Sequence, residues 1–168
     1  MRSPALRFAL GFVFFVLLQG VVFKNIILFE HAFCFIYIYF LLNLPVDTRP
    51  VIAIPVGFAM GLSVDMFYNT SGMHAAASVL VMFLRDRWLN LITPQGGFEI
   101  GASPTIKVSG VLWYIGYALP IILIHQLMLF YIESYGFGMF WFTFYKVILS
   151  TMFTFIMCVV LQVLFIRR

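Results

Sequence analysis

The sequence predicts an all-α fold, a polytopic integral membrane bundle of six transmembrane helices, and three observations predict it. Apolar residues make up 64% of the 168 residues and charged residues only 10%, with a mean hydropathy of +1.07. An ordinary soluble domain carries about 25% charge. The apolar runs are also continuous, whereas the strands of a membrane barrel alternate in polarity. Lastly, Lys and Arg fall between the runs and sort to one side when six crossings are counted. The net charge of +4 therefore reads as topology and not as nucleic-acid affinity. The length suits a single transmembrane domain over 1–168, without an extramembrane domain.

The first helix is expected at about 5–23, after a short basic start with Arg2 and Arg7. No small-x-small cleavage site follows it, so it reads as a retained helix and not as a signal peptide. A second helix is expected at about 27–45. Its uncharged core, Ala32 to Val46, is too short at about 1.5 Å per residue to cross about 30 Å alone, and it borrows Ile26 to Phe29. Prolines and charges make Pro45 to Pro50 a turn. The third and fourth helices follow at about 50–67 and 73–88, then a polar-leaning loop at 88–107 broken by Pro94, Gly96, Gly97, Gly101 and Pro104. Trp88, Leu89, Leu91 and Ile92 suit the membrane surface. The last two helices are expected at about 108–132 and 139–166, with Pro120, His125 and Gln126 inside the fifth and Lys146 in the sixth.

With a cytoplasmic N-terminus, six crossings return the C-terminus to the same side. The inside set is then Arg2, Arg7, Arg49, Arg85, Arg87, Lys107, Arg167 and Arg168, eight of the ten basic residues. That bias matches the positive-inside rule.

The most detailed stretch is Pro55 to Pro94. Ala53, Gly57, Gly61 and Asp65 recur every fourth residue and share one helix face. The three small residues let another helix approach closely, either within the chain or from a partner. An ionisable residue beside such a contact is costly in lipid, about 2.5–3.5 kcal/mol for Asp at the bilayer centre. Asp65 either caps the turn at the outer interface or makes a buried polar contact, with His74 or Asn69 or with a partner protein. Asn69, Thr70, Ser71 and Gly72 make the turn and supply N-cap candidates for the next helix. That helix opens on Ala75, Ala76, Ala77 and Ser78 and closes on Arg85, Asp86 and Arg87. Arg85 and Arg87 read as a solvated cytoplasmic helix end or as a docking point for a cytoplasmic filament.

This hairpin, Gly57-Phe58-x-x-Gly61-Leu62-x-x-Asp65, then Gly72 and a small-residue helix ending near Arg85, resembles the MreD family of bacterial rod shape-determining membrane proteins. The specific part covers about forty residues; elsewhere the likeness is one of layout. The resemblance implies a non-enzymatic scaffold of wall elongation in the bacterial inner (cytoplasmic) membrane. The partners it implies are an MreC-like bitopic protein, the MreB cytoskeleton and the RodA/penicillin-binding-protein synthase. It also implies a fold similar to the substrate-binding subunits of energy-coupling-factor transporters, whence the alternative of a vitamin-capture subunit. The residues for packing or partner contact are Gly57, Gly61, Asp65, Gly72, His74, Arg85 and Arg87.

The rest of the chain offers no catalytic constellation and no cofactor motif. His31, His74 and His125 are dispersed and make a weak metal case. Cys34 and Cys158 read as buried free thiols. Tyr37, Tyr39, Trp113, Tyr114, Tyr131, Tyr135 and Trp141 read as interfacial anchors. Lys146 either snorkels to the outer headgroups or, with Gln126, faces a central cavity.

Overall fold

A computed structural model describes residues 4–28, 30–93, 96–99, 101–134 and 139–166. Arg2, Pro94, Tyr135, Arg167 and Arg168 lie outside the described residues. The elements are α1 (Pro4–Leu17), β1 (Ile27–Leu28), β2 (Ala32–Phe33), α2 (Ile38–Leu42), α3 (Pro50–Tyr68), α4 (Met73–Ile92), α5 (Ile106–Ser109), α6 (Val111–Glu133) and α7 (Phe140–Ile166). The fold is mostly helical. Among the described residues, four stretches are long and apolar enough to cross a membrane: Ala5–Asn25, Pro50–Tyr68, Val111–Glu133 and Phe140–Leu164. Helix α4 matches them in length, but Arg85, Asp86 and Arg87 make it less apolar.

The expected second helix is a correction. Residues 27–45 hold a small antiparallel β1–β2 hairpin, an extended stretch and the five-residue α2. The physical reason is hydrogen bonding: side chains of neighbouring elements take up backbone groups that a helix would pair internally, and extended residues advance about 3.3 Å each. The segment thereby runs from the end of the bundle near Phe67, which Lys24 reaches, to the end where Val46 N–H donates to Ala102 O (2.9 Å).

An extended backbone inside an apolar bundle must find hydrogen-bond partners elsewhere. Phe33 N–H donates to Ser150 Oγ (2.9 Å) and Phe35 N–H to Thr154 Oγ1 (3.1 Å), both on α7. Gln19 serves Cys34 O (3.1 Å) through its amide and accepts from Tyr37 N–H (3.4 Å). A single π-helical turn, Leu18–Val22, follows α1 and contains buried Gln19. At the other end Tyr117 donates to Leu42 O (2.8 Å). Phe35, Ile36, Tyr37, Leu41 and Leu42 are consequently buried, at the centre of the hydrophobic core. Tyr37, Tyr39 and Tyr114 are thus core residues and not interfacial anchors, while Trp141 is exposed. Cys34 and Cys158 are buried free thiols.

Helix α4 runs four residues past its expected end at 88. Its last carbonyls find partners: Thr93 Oγ1 donates to Leu89 O (2.6 Å) and Trp113 Nε1 to Ile92 O (2.8 Å). Leu89 is buried in the core and does not lie on the membrane surface; Leu91 is exposed. In α6, Pro120 has no N–H for the carbonyl of Gly116. Trp88 Nε1 donates to that oxygen instead (3.1 Å), so α4 satisfies a carbonyl that α6 cannot.

Candidate functional site

The site is the α3–α4 hairpin and its polar tip. Pro50 starts α3 at the position that tolerates a missing N–H. Asn69 ends it in the left-handed conformation (φ 55°), its N–H returning to Asp65 O. Gly72 (φ 84°) reverses the chain into α4.

Gly57 and Gly61 lie on the contact with α4. A Cβ on Gly61 would stand 2.5 Å from Ala75 Cα, and one on Gly57 would stand 2.6 Å from Met82 Cγ. Both approaches are closer than any side chain allows. Ala75, Ser78 and Met82 are buried on the side of α4 that faces the two glycines. The small-residue stripe is therefore used inside the chain.

Asp65 is 2% exposed and takes four hydrogen bonds. The Thr70 hydroxyl donates to Oδ1. Oδ1 also accepts from His74 N–H (3.1 Å) and lies 2.9 Å from His74 Nδ1, while Ala75 N–H donates to Oδ2 (2.9 Å). Two of the donors are among the free N–H groups that open α4. The carboxylate is thus the N-cap of α4, supplied from the preceding helix; none of Asn69, Ser71 and Gly72 caps it with a side chain. Between them the two expected roles of Asp65 coincide, since the capping contact is also the buried one. A carboxylate only accepts, so the proton between the two side chains sits on Nδ1. His74, 3% exposed, is left with an Nε2 that has no partner.

Beyond the tip, the interior carries a second polar group. The Tyr37 hydroxyl and His125 Nε2 are 2.6 Å apart, and Ser78 donates to the Tyr37 oxygen (3.4 Å). Gln126 donates to Thr154 Oγ1 (3.2 Å). Rings of Phe35 and Tyr37 separate His125 from His74. Among the described residues no group of three or more His, Cys, Asp or Glu could hold a metal ion.

Arg85 departs from its expectation as a solvated helix end. It is 1% exposed. Its Nε donates to Tyr117 (2.9 Å) and its Nη2 to the carbonyls of Leu44 and Pro45. These carbonyls follow the C-terminus of α2, where backbone acceptors lack helical partners and favour a cation. Arg85 therefore anchors the broken segment, and it is too buried to dock a filament. Arg87, two residues on, is exposed with its guanidinium 4.7 Å from the Phe83 ring. Lys146 neither reaches a central cavity nor stands free. It pairs with Glu133 (3.1 Å) and lies over the rings of Phe33 and Phe130.

Sequence reasoning missed the inward face of α7, where Thr143, Val147, Ser150, Thr154, Cys158 and Gln162 are all buried. Their spacing of three and four carries the signal that found the stripe on α3. It also missed Gln19, whose significance depends on a segment remote in the chain. Compared with known proteins, the chain matches no protein-family model, no curated protein and no solved structure.

Proposed function

We propose that this chain is a non-enzymatic membrane scaffold of the bacterial wall-elongation machinery, working in the inner membrane beside an MreC-like bitopic protein and the wall-synthesis enzymes. The observation that carries the reading is the hairpin. Gly57, Gly61 and Asp65, residues of the family resemblance, form one clamp with His74 and Ala75 between α3 and α4. The polar groups around it support the reading, because Gln19, Ser150, Thr154, Tyr117 and Arg85 are spent on holding backbone. Since α4 covers Gly57 and Gly61, a partner helix in this reading meets another face. The outward side of α3, with Val51, Phe58, Leu62 and Met66 exposed, is available for it.

The same proposal includes six crossings, five by α1, α3, α4, α6 and α7 and one by the broken segment 27–45, with both termini cytoplasmic. Its support is the charge pattern: Arg49, Arg85, Arg87 and Lys107 gather at one end, and Lys24 and Lys146 lie at the other.

The test is co-purification of the tagged full chain from mild detergent, followed by mass spectrometry. A bitopic periplasmic protein with wall-synthesis enzymes is the expected catch, and Asp65→Ala should lose it. Recovery instead of a coupling subunit with ATPases, or of a bound vitamin, would overturn the scaffold reading in favour of a transporter subunit.

A further inference from the structure

A groove of about 590 Å³ lies between α1, α3 and the turn that enters α3, at the opposite end of the bundle from the hairpin tip, and its chemistry is independent of the scaffold reading. One side of it is fixed, because its walls include Leu44 and Pro45, whose carbonyls Arg85 holds. Its polar end is Asp47, Thr48 and Arg49. Asp47 and Arg49 are exposed. Among the described residues none of these three side chains has a hydrogen-bond or ion-pair partner, so the two opposite charges do not pair with each other. The apolar end is Phe8 on α1 with Ile52 and Val56 on α3. At about 1.5 Å per residue, Ile52 and Val56 lie about 4.5 and 10.5 Å along the helix from Arg49. The headgroup layer on each face of a bilayer is about 5–7 Å deep. The groove therefore starts among headgroups and ends among acyl chains.

We propose that this groove binds a phospholipid with an ethanolamine headgroup. Its amphipathic direction selects a lipid, and its rim selects the headgroup. The Arg49 guanidinium offers paired N–H donors to the phosphate, and the Thr48 hydroxyl is a further donor. The Asp47 carboxylate only accepts, and the primary ammonium that an ethanolamine arm places beside the phosphate donates to it. One free charge of each sign complements a zwitterion. A glycerol headgroup leaves Asp47 facing an anion with no cation to offset it, and a choline headgroup has no N–H to donate. Below the rim, an acyl chain covers Phe8 and Ile52, which are otherwise exposed.

The experiment places the full chain in nanodiscs of equal parts phosphatidylethanolamine, phosphatidylglycerol and phosphatidylcholine, and native mass spectrometry reads which lipid stays bound. The expected result is retention of the ethanolamine lipid over each of the others by about tenfold. Asp47→Asn should bring the ethanolamine and glycerol lipids to equal retention, because it removes only the charge that tells them apart. Arg49→Gln should lower retention of all three, and Ile52→Trp, which fills the apolar end from an exposed position, should do the same. Unfolding midpoints equal to wild type check that the three variants fold. Equal retention of the three lipids by the wild type overturns the proposal, as does a preference for the glycerol or choline lipid. An ethanolamine preference that Asp47→Asn and Arg49→Gln both preserve overturns it too, since the lipid then sits elsewhere on the bundle.

Discussion

At the scale of residues, the Asp65 carboxylate answers four donors, two of them backbone groups of α4 that no other side chain reaches. Removing it strands those donors in a buried place. Hydrogen bonds to a charged group contribute about 1.5–3 kcal/mol each, with strong non-additivity within one cluster. Asp65→Ala should therefore destabilise the protein by about 2–4 kcal/mol, read as a lowered midpoint of denaturant unfolding in detergent. Asp65→Asn should fall between the two, because its amide oxygen still accepts while its NH₂ group faces donors. A midpoint in Asp65→Ala equal to wild type would show that solvent replaces the cap.

The elements are held by two opposite strategies. Helices α3 and α4 dispense with side chains where they touch, and dispersion between close backbones does the work. Gly61→Ala puts a Cβ 2.5 Å from Ala75 Cα, so the helices must separate. We expect it to cost about 1–3 kcal/mol. Phe58→Leu, on the exposed side of the same helix, should change stability by under about 0.5 kcal/mol. Equal tolerance of the two substitutions would refute close packing as the source of hairpin stability. The segment between α1 and α3 does the reverse and depends on side chains from its neighbours. Thr154→Val keeps the volume but removes the acceptor for Phe35 N–H and Gln126. The expected loss is about 1–3 kcal/mol, with faster hydrogen exchange at the Phe35 amide. Unchanged exchange there would mean that another group holds that backbone.

At the scale of the whole molecule, hydrogen bonds at either end set the direction of each long element. Trp113 meets the end of α4, Gln162 of α7 donates to Asn43 (2.9 Å), and Lys24 reaches the end of α3. Arg49 and Lys107 thus belong to one end, and Glu30 and Glu133 to the other. The six-crossing proposal predicts that Arg49→Cys and Lys107→Cys react with a membrane-impermeant maleimide only after the cell is opened. Glu30→Cys should react in intact cells. Native Cys34 and Cys158 are buried and form a silent background. Labelling of Lys107→Cys from outside would remove the broken segment from the count of crossings.

Class, most helices and the hairpin contact were legible in the sequence, because each is a local or periodic property. Continuous apolar runs require helices in lipid. A carboxylate in register with Gly57 and Gly61 must meet whatever packs there, and His74 is only nine residues away. Arg85 shows the limit of that logic. A basic residue at the end of an apolar helix ordinarily meets solvent, and what holds this one inside is the pair of carbonyls at Leu44 and Pro45, about forty residues earlier. Residues 27–45 show it again, since their aromatic and β-branched content fits helix or extended chain alike. By itself the sequence determined a membrane bundle built around a small-residue hairpin. Only the tertiary structure decided that a backbone could run extended through its centre, because the groups that make this tolerable, Gln19, Arg85, Tyr117, Ser150 and Thr154, are brought together by folding alone.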